Sequence, residues 1–321
     1  MPLIMPPPRP PAFFPVIGRS GDLPVRLRDG VVAIGNFDGV HRGHKHVVGA
    51  ARATAAETGR PSLVLTFEPH PRSFFQPDAP LFRLGDAASK VRLLAAERID
   101  GVALLPFDAE LAAMTAGDFV DRILVDWLGV THVVVGRDFN YGSKRSGNAT
   151  TLAEAGRRQG FGVTQIEALS GPHGAISSSA VREALADGRV EVANDLLGHA
   201  WFVTAPVIHG EKRGRELGYP TANLRLDPAC GLRHGIYAVR AGIGGRWHDA
   251  VASFGRRPTF DNGAPLLEVH VFDIRQDLYG QEMDVAFAAF LRPEEKFSSL
   301  EALIVQMDED SRRARELLAE A

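Results

Sequence analysis

Val31-Val32-Ala33-Ile34-Gly35-Asn36-Phe37-Asp38-Gly39-Val40-His41-Arg42-Gly43-His44 is the stretch of this 321-residue chain that decides its fold. An apolar strand ends at Gly35, and a helix begins near Val40–His44. The turn between them places backbone N–H groups and a helix N-terminus at the edge of a sheet, a setting that suits an anion. His41 and His44 are three apart and share a face of the first helical turn. Gly43 between them lets a ligand approach the backbone. Two imidazoles at the positive end of a helix suit a polyphosphate better than a metal, since no further Cys or His nearby completes a metal set. A lone His-x-x-His is most often two surface histidines; the strand, glycine turn and helix around this pair favour function.

Outward from this turn, the first half alternates short apolar runs with helix-periodic stretches. The runs are Val31–Ile34, Leu63–Phe67, Val102–Pro106, His132–Gly136 and Gly162–Ile166; the helical stretches include Val47–Glu57, Ala87–Arg98 and Ala116–Leu128. Continuous apolar strands separated by helices predict a doubly wound α/β domain with a parallel sheet covered on both faces. Its ligand loops belong at the carboxyl ends of the strands. Two helices, Ser178–Asp187 and Glu191–Leu197, are expected next.

After Gly198 the texture changes. Trp201–Val207, Gly235–Val239, Ala250–Phe254, Leu266–Ile274 and Met283–Phe290 read as strands with turn residues between them, and no helix is expected before Leu300–Ala319. This predicts an antiparallel β-barrel or sandwich closed by a C-terminal helix. The expected division is a proline-rich flexible tail over 1–20, an α/β domain over 21–198 and a barrel domain over 199–321.

The composition is that of an ordinary globular chain, with 45% hydrophobic and 23% charged residues. A net charge of −3 gives no bulk field directed at nucleic acid or membrane. The single cysteine, Cys230, rules out an intramolecular disulfide and fits a reducing compartment. No apolar run has the roughly 18 residues of a membrane helix. Six prolines between Pro6 and Pro15 break any signal-peptide helix, so a cytoplasmic location is expected. A homo-oligomer is compatible with the sequence.

A second loop opens the barrel half: Gly210-Glu211-Lys212-Arg213-Gly214-Arg215-Glu216-Leu217-Gly218-Tyr219-Pro220-Thr221-Ala222-Asn223-Leu224. It is not a Walker loop, because no Gly-Lys-Ser/Thr follows the glycines. Pro220 forces extended backbone before it. Thr221 and Asn223 are two apart on a strand, so a hydroxyl and an amide oxygen face the same way, a hard-oxygen pair suited to Mg²⁺ that shares ATP phosphates. On spacing alone, a surface hairpin with turn-forming glycines explains the loop equally well. Glu268 sits mid-strand among Leu, Val and Phe, where a solvated carboxylate is unexpected; held at a barrel mouth it could accept a hydroxyl proton.

His-x-Gly-His after such a strand resembles the nucleotidyltransferase superfamily. The longer Gly-Asn-Phe-Asp-Gly-Val-His-Arg-Gly-His is similar to the N-terminal module of the bacterial bifunctional riboflavin kinase/FAD synthetase family. Thr66-Phe67-Glu68-Pro69-His70-Pro71, Gly136-Arg137-Asp138-Phe139-Asn140-Tyr141-Gly142 and Ile176-Ser177-Ser178-Ser179-Ala180-Val181-Arg182 agree with that module in order. Gly-x-x-x-Gly-Arg-x-Leu-Gly-x-Pro-Thr-Ala-Asn-Leu resembles the riboflavin kinase signature. Gly235–Ala238, Arg257–Phe260, Leu267–Asp273 and Leu291–Phe297 follow it, so the resemblance covers roughly residues 28–318. In this chain Asn140-Tyr141 stands where the family pattern leads us to expect a basic or polar residue and then Phe, and Ser179 stands where the family often has Thr.

The resemblance implies two ATP-dependent reactions, riboflavin to FMN and FMN to FAD. For adenylylation it implies Gly35, Asn36, Phe37, Asp38, His41, His44, Asp138, Ser177, Ser178, Ser179 and Arg182 at ATP and its phosphates, with His41, His44 and Arg182 catalytic. For the kinase it implies Gly210, Lys212, Gly214, Arg215, Gly218, Pro220, Thr221 and Asn223 at Mg²⁺–ATP and Glu268 as base. Glu68, His70, Phe139, Tyr141, Glu268 and Arg292 are the implied flavin contacts. Three other readings compete: an adenylyltransferase for another substrate, a flavokinase with a decayed first half, and a flavin binder without catalysis.

Overall fold

The computed structural model describes residues 2–19, 23–209, 219–256, 265–274 and 276–320. The chain divides into two compact units: Pro7–Leu81 with Asp86–Ser177, and Met1–Pro6 with Phe82–Gly85 and Ser178–Ala321.

The first unit is built on a six-stranded parallel sheet. Its strands are β1 (Val16–Ile17), β2 (Val31–Ile34), β3 (Ser62–Glu68), β4 (Gly101–Pro106), β5 (His132–Gly136) and β6 (Gly162–Ile166), in the order β1-β4-β3-β2-β5-β6. The chain runs outward from β2 through β3 and β4, then returns to the other side of β2 to form β5 and β6. The carboxyl ends of β2 and β5 are therefore the point where the winding reverses, the usual ligand position of such sheets. All four residues of β2 are buried, as its continuous apolar run requires.

Helices α1 (Arg42–Thr58), α2 (Ala87–Ala96) and α3 (Ala149–Gln159) accompany the sheet. α1 stops at Gly59, whose left-handed φ of 63° lets its N–H reach the Ala55 and Ala56 carbonyls. α3 opens with a capping box between Asn148 and Thr151. The helix expected over Ala116–Leu128 is wound as a π-helix over Phe119–Trp127, with Phe119, Val120, Ile123 and Leu124 turned into the core.

The second unit begins with α4 (Ser178–Ala186) and α5 (Val190–Leu197), followed by a closed antiparallel barrel. Its strands are β7 (Phe202–Ile208), β8 (Ala222–Arg225), β9 (Gly235–Ile243), β10 (Arg246–Arg256), β11 (Pro265–Val271) and β12 (Glu282–Arg292), ordered β7-β8-β11-β10-β9-β12. Trp201, Tyr237, Phe254 and Phe287 fill it. The C-terminal helix α6 (Leu300–Ala319) opens on a Ser299 cap, and its Ala314 and Leu318 are buried with Ala238, Phe272 and Leu291.

Two expectations change in extent. The division expected after residue 198 marks the end of the helices, whereas the barrel's compact unit already includes α4 and α5. Asn194 on α5 shows why: its amide donates to the Phe287 carbonyl (2.9 Å) and accepts from the Trp201 N–H (2.8 Å). The proline-rich start was expected to be a flexible tail. Instead Leu3 packs against the Ala238–Leu318 cluster and the Ile4 carbonyl accepts from the Ala200 N–H. Further along, Val16–Ile17 is an edge strand, where extended backbone next to proline is tolerated.

Asn194 joins a helix and two barrel segments through buried groups. Asn194→Ala should therefore cost about 1–3 kcal/mol, the penalty for stranding buried polar partners. The denaturant midpoint checks this, and an unchanged midpoint would show that α5 is not tied to the barrel.

Candidate active sites

Leaving β2, the chain must turn within a few residues into α1, and it does so through left-handed backbone. Phe37 (φ 48°), Gly39 (φ 77°) and Val40 (φ 41°) all have positive φ. For a β-branched valine this is strained, at a cost on the order of 1–3 kcal/mol, of the kind found at functional sites. The Thr66 hydroxyl donates to the Asn36 carbonyl (3.1 Å) and pins the turn to β3. Phe37, Asp38 and Val40 are buried.

His41 is the N-cap of α1: its Nδ1 accepts from the His44 N–H (3.2 Å). That bond needs a lone pair on Nδ1, so the ring proton of neutral His41 sits on Nε2. The two imidazoles stack at 3.6 Å between centroids and 15° between planes, and Phe37 meets His44 edge-on at 5.1 Å. Gly43 makes the stack fit. A Cβ there would lie 3.1 Å from the His41 ring and 3.4 Å from the Ile176 carbonyl. The Nδ1 of His44 is covered and has no protein partner. A buried polar atom left so is costly and calls for a functional explanation. Burial, then His41 and Lys90, hold His44 well below its ordinary value of 6.5.

Lys90 was missed by the sequence reading. It is 3% exposed in α2, and its Nζ donates to the Phe67 carbonyl (3.0 Å) and the Glu68 carboxylate (3.2 Å). A charge one residue from Val91 and four from Leu94, on a buried helical face, was the available signal. Phe74, Phe75 and Phe107 also went unremarked. With Phe67 of β3 they form an edge-to-face group at the carboxyl ends of β3 and β4, with centroids 5.3–6.0 Å apart, and Phe75 is 63% exposed.

Several expected flavin contacts already have protein partners. Glu68 holds Lys90. His70 caps the short helix Pro71–Phe75, its Nδ1 accepting from the Arg72 N–H. Tyr141 is buried against Gly147, with Phe139 stacked on it at 5.6 Å. Asp138 lies exposed after β5, its carboxylate against Gly136, where a Cβ would be 2.9 Å away. Ser177 closes this unit. Ser178, Ser179 and Arg182 open α4 in the other, where the Arg182 Nε donates to the Phe82 carbonyl (2.5 Å).

In the barrel, Asn223 on β8 lies directly opposite Glu268 on β11, and Glu268 lies opposite Ser253 on β10. Residues paired this way share a face. It is the face opposite the core, since Leu224 and Leu267 point inward with no exposure. Asn223 is nonetheless 5% exposed, and its amide Nδ2 lies 3.4 Å from the Thr221 carbonyl. Thr221 sits one residue ahead of the ladder. It opens onto a cleft lined by Val207, Pro220, Val269, Leu278 and Tyr279, also unforeseen, where Tyr279 packs on His209 at 3.9 Å. Arg292 is held elsewhere, forked onto the Asp310 carboxylate at 2.9 and 2.7 Å. Gly210, Lys212, Gly214, Arg215 and Gly218 lie outside the described residues.

Two family profiles cover the two halves: FAD synthetase matches residues 24–180 and riboflavin kinase matches residues 197–318. The bifunctional riboflavin kinase/FMN adenylyltransferase of Pseudomonas fluorescens is 42% identical over 290 residues, 90% of this chain and 93% of its own. The chain belongs to the bifunctional riboflavin kinase/FMN adenylyltransferase family. The Escherichia coli K12 relative of the same description is 39% identical over 287 residues, 89% of this chain and 92% of its own. A crystal structure described as a macrolide-efflux protein from Streptococcus pneumoniae aligns with a TM-score of 0.84 at 31% identity, covering 94% of this chain and 98% of that one. Among the described residues no helix is long and apolar enough to cross a membrane.

The depressed proton affinity of His44 has a measurable sign. As pH falls below about 6.5 the unfolded chain takes up the proton first, so acid favours unfolding until the lower folded-state value is passed. Between pH 7.5 and 5.5 the wild type should lose more stability than His44→Gln, read as the shift in denaturant midpoint. Equal losses would show that His44 is not shielded in the fold.

Proposed function

We propose that the strained turn with its histidine pair is the adenylyl-transfer site, and that the Asn223–Glu268 face of the barrel is the riboflavin kinase site. The chain thereby makes FMN from riboflavin and ATP, and FAD from FMN and ATP. The observation that carries the kinase assignment is the direct pairing of Asn223 with Glu268, two residues along from Thr221, on a face the core does not use.

In the first reaction the riboflavin 5′-hydroxyl gives its proton to the Glu268 carboxylate. Its oxygen bonds to the γ-phosphorus of ATP, the bond from that phosphorus to the β–γ bridging oxygen breaks, and ADP leaves. The cleft beside Thr221 suits the adenine ring, with Tyr279 and Val269 among its walls. Thr221 and Asn223 supply hard oxygen donors that fit Mg²⁺, the Asn223 nitrogen being engaged by the Thr221 carbonyl. Bound there, Mg²⁺ would offset phosphate charge. The basic glycine loop 210–218 is assigned to the phosphates by the family pattern.

In the second reaction a phosphate oxygen of FMN bonds to the α-phosphorus of ATP, the bond from that phosphorus to the α–β bridging oxygen breaks, and pyrophosphate leaves with that oxygen. No protein nucleophile is required; the site supplies position and positive potential. His41 and His44 at the N-terminus of α1 and the left-handed turn at 37–40 are suited to the phosphates. The Phe74, Phe75 and half-buried Phe107 group, with Phe139, suits a flat flavin ring. Asp138, Ser177, Ser178, Ser179 and Arg182 keep the phosphate and adenine roles that the family pattern gives them, while Glu68, His70, Tyr141 and Arg292 are better explained as supports.

Incubation with riboflavin, ATP and Mg²⁺, followed by chromatography of riboflavin, FMN and FAD, tests the scheme. His41→Ala with His44→Ala should abolish FAD formation and leave FMN formation intact; undiminished FAD would remove the histidine pair from the reaction. Glu268→Gln should slow riboflavin phosphorylation by at least about 10²-fold, the lower end of general-base help, while added FMN is adenylylated at the wild-type rate. Near-normal FMN formation would show that Glu268 is not the base.

A further inference from the structure

His270 lies two residues beyond Glu268 on β11, so the two side chains leave the same face of the strand. Its Nδ1 is 2.9 Å from the Pro220 carbonyl. A carbonyl only accepts, so Nδ1 carries the hydrogen and donates it. The ring is held on both sides: Tyr219 at 5.0 Å and Phe272 at 5.8 Å between centroids. Helix α6 holds these neighbours in turn. The Tyr219 hydroxyl donates to the Asp308 carboxylate, and the Arg315 guanidinium lies 4.1 Å over Phe272 while forking onto Asp273. Asp308 and Arg315 are seven apart and share a helical face.

What this assembly grips is a segment the barrel does not hold. The ladder of β8 starts at Ala222, and among the described residues neither Pro220 nor Thr221 has a cross-strand partner. Proline has no N–H, so its carbonyl is the one backbone hydrogen-bonding group that Pro220 itself offers. We propose that His270 is a positioning residue for phosphoryl transfer: by holding the Pro220 carbonyl it fixes where the Thr221 hydroxyl stands relative to the Asn223–Glu268 pair. This rests on the kinase-site reading above and adds a residue which that reading leaves idle.

Three substitutions separate the hydrogen bond from the ring. His270→Phe keeps an aromatic between Tyr219 and Phe272 but donates nothing. His270→Asn places an amide N–H close to the position of Nδ1, and His270→Gln places one close to that of Nε2. Loss of one tethering hydrogen bond should raise the KM for ATP in Phe and Gln variants roughly three- to tenfold. The KM for riboflavin and the rate of FAD formation from added FMN should stay at wild-type values, and Asn should remain within about twofold of wild type for ATP. A wild-type KM for ATP in His270→Phe, an Asn variant as impaired as Phe, or an equal rise for riboflavin overturns the proposal. If the Phe variant does not fold, the Asn-against-Gln comparison decides alone. Glu268→Gln run beside them reports on the site itself. Near-normal FMN formation there removes the kinase-site reading, whereas a slow Glu268→Gln with unaltered ATP dependence in the His270 series removes only the tether.

Discussion

Strand β2 is hydrogen-bonded on both sides and buried at every residue, so the chain leaving it can continue only past the carboxyl edge of the sheet. α1 starts at Arg42, eight residues after the last ladder position at Ile34. Reversing direction in that span without a hairpin requires left-handed backbone, and the chain accepts it even at a valine. The consequences reach outward from there. The turn aims the first N–H groups of α1 along the sheet edge, His41 becomes the cap, and the absence of a side chain at Gly43 allows the second imidazole to lie flat on the first. Sheet order then brings the loop after β5 to the same edge, because β5 is the strand paired to the other side of β2.

The barrel meets its constraint differently. Its core-facing residues alternate with a second face, and three adjacent strands put Asn223, Glu268 and Ser253 in one row of that face. Here the ladder itself is the ruler: no loop conformation is needed to bring an amide opposite a carboxylate. What the ladder leaves unset lies just before it, at Pro220 and Thr221, and side chains from β11 and α6 gather around that point.

Most of the architecture was legible from periodicity. Continuous apolar runs separated by amphipathic stretches imply a covered parallel sheet, and alternating runs with turn residues imply a barrel; both classes are present in the expected order. The histidine turn was legible too, because glycine, strand end and helix start coincide within a few residues. Less could be read where position depends on pairing between distant segments. Asn194, Lys90 and the Arg292–Asp310 fork are polar groups whose meaning depends on a partner 15 or more residues away, and a single sequence does not name partners. Tyr141 shows the same limit from the other side. Its place in a motif implies a ligand contact, and the room that Gly147 leaves for its ring, which is buried, could not be read from the motif. The proline-rich start was unreadable for a simpler reason: extended chain with scattered apolar residues looks alike whether it lies on a surface or in water.

The hydrogen bond from the His44 N–H to His41 Nδ1 also sets the charge of the turn. Burial, with His41 and Lys90 beside it, keeps the second ring neutral near pH 7, so positive character at the turn comes in part from its backbone N–H groups. A polyanion bound there would raise the proton affinity of His44, and its binding would then draw a proton from solvent. Affinity and buffer are then thermodynamically linked: the heat of nucleotide binding should carry a contribution from the ionisation of whatever buffer supplies that proton.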